Sequence, residues 1–293
     1  MGQAIDRGDW PSVRSWVAPP RRGSTVASPH EICPFLHAGR CWRIGHVMKT
    51  FAARRPVVFS VAAIVAALLV LKLGAWGLKQ CMAELPARLL AELMFCLVAV
   101  AYVSALGWWR DVDFHWPNTM RGYAAYLPWL VLPLLVVLGS GVHTATADRV
   151  LGYALFCLMV GFAEEVLMRG VVLKVLAPGG VVRAVMLSSV LFGLMHLSGL
   201  FNGHALQPSL VQVIYAAFIG IGFAGPRLYS GSILPAILLH ALVDFADGIA
   251  RGYTFAAPKE MNLHDAGGTI IVTGLYALYG WWLTRRSVAR GAT

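Results

Sequence analysis

Residues 57–78 read VVFSVAAIVAALLVLKLGAWGL, an apolar stretch with a single charged side chain, Lys72. About 20 consecutive apolar residues are needed to cross a bilayer as a helix. Of the 293 residues of the chain, 58% are hydrophobic and 13% are charged, whereas roughly 25% are charged in ordinary soluble domains. A soluble fold of this size would interrupt its apolar stretches with charged faces, so the composition predicts a membrane protein.

Seven further apolar blocks of similar length follow the first. Their approximate bounds are 89–109, 123–141, 150–173, 182–198, 209–226, 232–250 and 267–284. Helices are expected because lipid cannot satisfy the polar groups of an open backbone, and the blocks lack the alternation of a membrane β-barrel strand. The sequence therefore predicts an all-α, polytopic bundle with about eight transmembrane helices, interacting with the lipid bilayer.

The net charge of +10 is unevenly distributed along the chain. With both termini inside, 17 lysines and arginines lie on the inner side of the eight predicted spans and 5 on the outer side. This bias follows the positive-inside rule. It predicts that both termini are cytoplasmic, and no nucleic-acid partner is expected. The expected location is the bacterial cytoplasmic (inner) membrane.

The chain is divided here into two regions. Residues 1–55 are rich in Pro, Gly and Arg without an apolar period, and we expect a basic, disordered cytoplasmic segment. Translation from Met48 is an alternative, because a short basic stretch there runs directly into the first span. Cys33 and Cys41 bracket His37 in this segment, but their spacing matches no zinc pattern. Residues 56–286 form the predicted transmembrane domain, with a core at about 150–250.

Ionisable residues at membrane depth are costly and tend to mark function, and the second half of the chain concentrates them. The first half contains only Lys72, which can extend toward an interface, and Glu92 near the start of the second span. In the fourth span, Glu165 and Arg169 are four residues apart and share a helix face. Glu164 lies about 100° around the helix from Glu165, so it is expected to be free to take a proton.

The fifth and seventh spans carry histidines. Phe192 and His196 are four residues apart, and so are His240 and Asp244. Taken alone, His196 is as compatible with a structural role as with a catalytic one. A carboxylate one turn after a histidine can orient its ring, although the same pair could simply join two helices. By helix rise, these residues and the two glutamates can meet in one layer of the membrane.

Three segments in this order resemble a known pattern: EEVLMR (164–169), FGLMH (192–196) and HALVD (240–244). They are similar to the motifs EExxxR, FxxxH and HxxxN/D of the CAAX-protease and bacteriocin-processing family of intramembrane endopeptidases. The resemblance implies hydrolysis of a peptide bond in a membrane-associated protein or peptide. It also implies a catalytic set, namely Glu164, Glu165, Arg169, His196, His240 and Asp244. Family members with prenylated substrates often have Asn at the position of Asp244.

As a hypothesis from this resemblance, Glu164 and His196 hold a water for which Glu164 is the general base. Glu165 and Arg169 then maintain the geometry, while His240 and Asp244 polarise the scissile carbonyl. The same residues also allow a metal version, in which His196, His240 and one glutamate bind Zn²⁺. HExxH is absent, so the spacing leaves the cofactor open.

Two other classes of protein remain open at this stage. A proton-coupled transporter would also bury Glu, His and Asp, although no inverted repeat is evident. A non-catalytic scaffold or immunity protein of the same fold would retain the bundle and bind a partner. The sequence does not identify the substrate.

Overall fold

The computed structural model describes residues 38–255 and 260–291, which are almost entirely helical and contain no strand. Eleven helices are labelled in chain order. They are α1 (Ala38–Arg54), α2 (Pro56–Leu78), α3 (Glu84–Leu106), α4 (Met120–Ala124), α5 (Val131–Ser140), α6 (Ala147–Glu165), α7 (Leu173–Leu176), α8 (Val181–Met195), α9 (Leu206–Ser230), α10 (Leu234–Ala250) and α11 (Leu263–Gly291). The all-α architecture predicted from the sequence is confirmed.

Within these residues, six helical segments are long and apolar enough to cross a membrane. They are Pro56–Leu78, Glu84–Leu106, Met120–Ser140, Ala147–Gly179, Val181–Phe201 and Leu206–Ser230. These segments coincide with the first six predicted spans, and the chain is an integral membrane protein. Helix α10, with 17 residues, and α11 occupy the places of the seventh and eighth spans, whose crossing of the membrane stays a prediction.

The N-terminal expectation was wrong for residues 38–54. They form α1 instead of continuing a disordered segment to residue 55. The helix is held to the bundle, because Ala52 is buried in the main hydrophobic core. It ends at Arg54, and Pro56 begins α2, as expected for a residue that can start a helix but not continue one. The predictions for residues 1–37, including Cys33 and His37, lie outside the described residues, as does the side chain of Cys41.

A glycine allows the close contact between α6 and α10 that positions the site. A Cβ at Gly161 on α6 would come within 2.6 Å of the Ile237 carbonyl oxygen and 3.1 Å of the Ala241 amide nitrogen, both on α10. Small residues allow helix backbones to approach this closely in membranes. Because Gly161 precedes Glu164 by less than a turn and Ala241 follows His240, this contact brings the glutamates and the histidine together.

The helix predicted for the fourth span is not regular throughout. After α6, residues Val166–Val172 form a π-helix before the chain returns to α-helical geometry in α7. A π segment widens the helix locally and is frequent at functional sites. Arg169 lies in the middle of this segment, so the irregular turn belongs to the same region as the predicted motif.

Four of the five basic residues counted in the inner loops between spans belong to helices instead, namely Arg121, Lys174, Arg183 and Arg227. Arg227 lies in α9, which continues to Ser230, and its side chain is fully buried. Lys174 lies in α7 and forms an ion pair with Asp111 at 2.6 Å. These helices extend beyond the predicted span ends because the 106–120 connection packs against them and supplies partners for both cations.

Candidate active site

The carboxylate of Glu165 is the most deeply buried group of the predicted site. Its Oε1 lies 2.8 Å from Arg169 Nη1 and 2.8 Å from His240 Nδ1. A carboxylate oxygen only accepts hydrogen bonds, so Nδ1 of His240 is the donor. Glu165 therefore joins α10 to the π segment, in addition to pairing with Arg169 as the sequence predicted.

The second nitrogen of His240 faces two other carboxylates. Nε2 lies 3.6 Å from Glu164 Oε2 and 3.6 Å from Asp244 Oδ2. Both distances are longer than a hydrogen bond and short enough for a strong charge interaction. With Nδ1 bound to Glu165, Nε2 is the ring nitrogen left to bind another group.

Side-chain exposure increases from the base of the site toward Asp244. It is 0% for Glu165, 9% for His240, 12% for Glu164 and 36% for Asp244. Glu164 Oε2 is itself enclosed and has no hydrogen-bond partner in the described chain. An enclosed carboxylate oxygen without a partner is a position where a water molecule or substrate group would be stabilised.

His196 lies at the end of α8 with one ring nitrogen occupied. Its Nδ1 is 2.8 Å from the Phe192 carbonyl oxygen, which must accept the bond. Nε2 is therefore left for another partner. Within the described residues no direct hydrogen bond joins His196 to Glu164, although the charge of His240 acts on the His196 ring. The structure thus brings the other five predicted residues into one contact network and places His196 beside it.

Aromatic rings form the walls around Arg169 and His240. The Arg169 guanidinium carbon lies 4.4 Å from the centroid of Phe192 and 5.7 Å from that of Phe223. Phe223 is stacked on the His240 ring at 5.8 Å and 13°, and Trp129 is stacked on Phe223 at 3.9 Å. Phe192 belongs to a predicted motif, but nothing in the sequence indicated Phe223 or Trp129, since their contacts join distant helices.

The first half of the chain also contributes charge to this region, although the sequence concentrates ionisable residues in the second half. Lys72 of α2 and Glu92 of α3 both lie within electrostatic range of Glu164. The sequence did mark both as ionisable residues at membrane depth, which was the available signal. Their association with the site depends on how α2 and α3 pack.

The residues do not form a ready metal site. Among the side chains that the structure describes, no three from His, Cys, Asp and Glu are placed to hold a metal ion together. His196, His240 and a glutamate were the predicted ligand set. One nitrogen of each histidine is already engaged, by Phe192 and by Glu165. In these positions His196, His240 and the glutamates form a carboxylate–imidazole cluster, and Nε2 of each histidine makes no hydrogen bond within the described chain.

The fold and this site define a class of protein: a helical membrane protein that encloses carboxylates and imidazoles between its helices. A family model described as type II CAAX prenyl endopeptidase Rce1-like matches residues 146–246. No curated protein and no solved structure matched the chain. The matched segment covers about a third of the chain and contains all six predicted site residues. The assignment of these motifs to the CAAX-protease family is therefore confirmed, and this is a family of peptide hydrolases.

Proposed function

We propose that this protein is an intramembrane endopeptidase that hydrolyses a peptide bond of a membrane-associated protein or peptide. The observation that supports it best is Glu164 Oε2, which is enclosed, lacks a hydrogen-bond partner in the described chain and lies 3.6 Å from His240 Nε2. A water in this position would contact a base and lie next to a donor for the substrate carbonyl. The family match supports the same class of reaction.

In the proposed reaction, Glu164 removes a proton from the water as its oxygen attacks the scissile carbonyl carbon. His196 supports that water through its remaining nitrogen, Nε2. The negative charge that develops on the carbonyl oxygen is stabilised by His240. Glu164 then delivers this proton to the nitrogen of the leaving amine as the C–N bond breaks. This step returns Glu164 to its carboxylate form.

Glu165 and Arg169 act on His240 in this scheme. Glu165 fixes Nδ1 and so directs Nε2 toward the reacting carbonyl. A ring that donates from both nitrogens is an imidazolium, and three carboxylates lie around it to balance its charge: Glu164, Glu165 and Asp244. Asp244 is the most exposed of these, so substrate is proposed to enter from its side of the site.

The glutamate mechanism is preferred to the metal version for this chain, because the two histidines and the glutamates do not form a ligand set. The substrate is a membrane-associated peptide, but no feature of the site requires that it be prenylated. The orientation with both termini in the cytoplasm of a bacterium is also part of the proposal. It rests on the distribution of basic residues along the sequence.

Cleavage in heavy-oxygen water tests this function. The purified full-length protein in liposomes would be incubated with a library of internally quenched, lipid-anchored peptides in H₂¹⁸O, and the products analysed by mass spectrometry. We expect the wild-type protein to cleave a peptide and to place one ¹⁸O in the new carboxylate. We expect no cleavage by Glu164→Gln. Peptides that remain intact, or products that appear equally with Glu164→Gln, would instead favour a scaffold or transporter of the same fold.

A further inference from the structure

Lys72 and Glu92 are two charged side chains that lie outside the segment matched by the family model. Glu92 is 4% exposed, and Lys72 is half-buried. Across the described parts of the chain, neither makes a hydrogen bond, and neither has an opposite charge within 4.0 Å. Ionisable groups at membrane depth normally have a specific partner. Packing alone therefore does not explain why both are present.

The contacts of α3 place Glu92 relative to the catalytic glutamate. Cys96, one turn after Glu92, contacts the Met159 carbonyl oxygen of α6 at 3.4 Å. A Cβ at Gly152 of α6 would meet Leu85 of α3, so the two helices run in the same direction. Glu92 lies four residues before this contact and Glu164 five residues beyond it. At a rise of 1.5 Å per residue, the two levels are roughly 14 Å apart when counted from this contact and roughly 8 Å apart when counted from the Leu85 contact.

Lys72 lies between these two levels. A Cβ at Gly74 of α2 would come within 3.0 Å of Met94 Sδ on α3, and α2 and α3 run in opposite directions, so Lys72 lies close to the level of Cys96. Its charge acts on Glu92 and Glu164 and also on His196. The ammonium group therefore lies close enough to the proposed catalytic residues for their charges to interact.

We propose that Lys72 and Glu92 form a subsite that binds the main chain of the polypeptide substrate beside the scissile bond. This inference rests on the proposed endopeptidase function. An ammonium group only donates hydrogen bonds and a carboxylate only accepts them. A peptide unit offers one acceptor and one donor, so its carbonyl oxygen binds Lys72 and its N–H binds Glu92. An extended chain rises about 3.3 Å per residue, so roughly two to four residues connect Glu164 to Glu92.

Kinetics on a cleaved peptide from the quenched library test the subsite. Lys72→Met and Glu92→Gln should each raise KM about tenfold, the range for a lost hydrogen bond to a charged group, with kcat within about threefold. Lys72→Arg should restore most of the loss. The matched controls are Lys79→Met and Glu84→Gln, an exposed ion pair at the ends of the same two helices. They should leave both constants unchanged.

Truncated peptides separate substrate binding from a structural effect. Shortening the peptide to one residue on one side of the scissile bond should remove its sensitivity to Glu92→Gln, while shortening the other side should not. Unchanged KM in both variants, or equal sensitivity of every truncated peptide, would overturn the subsite. If Glu164→Gln still abolishes cleavage in that case, the proposed function stands without the subsite. If wild type cleaves no peptide, the proposed function itself fails.

Discussion

Arg169 and Arg227 are both buried among the helices, yet their guanidinium groups are surrounded by different atoms. Arg227 Nη2 lies 3.0 Å from Asp113 Oδ2 and donates to the carbonyl oxygens of Asp111 and Val112. Arg169 has a single carboxylate partner, Glu165, and two aromatic rings beside it. Its Nη1 and Nη2 make no aligned hydrogen bond within the described chain.

The difference indicates two roles for buried positive charge in one protein. Arg227 joins α9 to the 106–120 connection through several polar partners, as a structural ion pair does. Arg169 shares the Glu165 carboxylate with His240, so its position affects the orientation of the imidazole. The first arginine is therefore expected to affect stability, and the second to affect activity as well.

Exchange of each arginine for lysine is expected to give the largest difference in activity between the two positions. Lysine keeps the charge but loses the planar group that contacts Phe192 and Phe223. Arg169→Lys should reduce kcat about a hundredfold, since both Glu165 and His240 lose their fixed geometry. Arg227→Lys should lower the melting temperature and leave kcat within about threefold. Both quantities would be measured on the same purified samples, and equal losses of kcat would refute the contrast.

Removal of the ring stacked on His240 should have a smaller effect. Phe223→Leu is expected to reduce kcat about tenfold with little change in KM, because the His240 imidazole loses the ring that is stacked on it. Phe59→Leu is the matched control, since Phe59 of α2 is similarly buried and contacts the rings of Phe51 and Tyr102. The two variants should lose similar stability, in the range of about 1 kcal/mol for a volume-reducing apolar change. A kcat for Phe223→Leu equal to that of Phe59→Leu would contradict the positioning role.

Metal removal should have the smallest effect. Because the described histidines and carboxylates do not form a ligand set, incubation with 1,10-phenanthroline or EDTA should leave the cleavage rate unchanged. The rate after dialysis and after add-back of Zn²⁺ would be compared with the untreated enzyme. Loss of activity that zinc restores would require the metal version of the mechanism.

The parts of the site that the sequence predicted are local in the chain. Glu165 with Arg169, and His240 with Asp244, are one helical turn apart, so helix periodicity alone places them on common faces. The bond from His240 to Glu165 spans 75 residues, and that from Arg227 to Asp113 spans 114. Such pairs depend on which helices pack together, and a single sequence does not specify that.

Irregular geometry was the other limit of the sequence analysis. The apolar blocks predicted where helices occur, because membrane helices need long apolar stretches. They gave no indication of the π segment at Val166–Val172, since its residues are as apolar as those of a regular helix. The stack of Trp129, Phe223 and His240 was missed for a similar reason, because buried aromatic residues are common in any bundle.

Single-turnover cleavage by Glu164→Gln at saturating peptide is the most direct test of the central claim. Glutamine has nearly the same shape as glutamate, so the variant should fold and bind peptide normally. It cannot remove a proton from water. We expect its rate to fall at least about a thousandfold, within the range for loss of a general base. Glu84→Gln on the exposed end of α3 should react at the wild-type rate. Retention of more than about a tenth of the wild-type rate by Glu164→Gln would contradict the account.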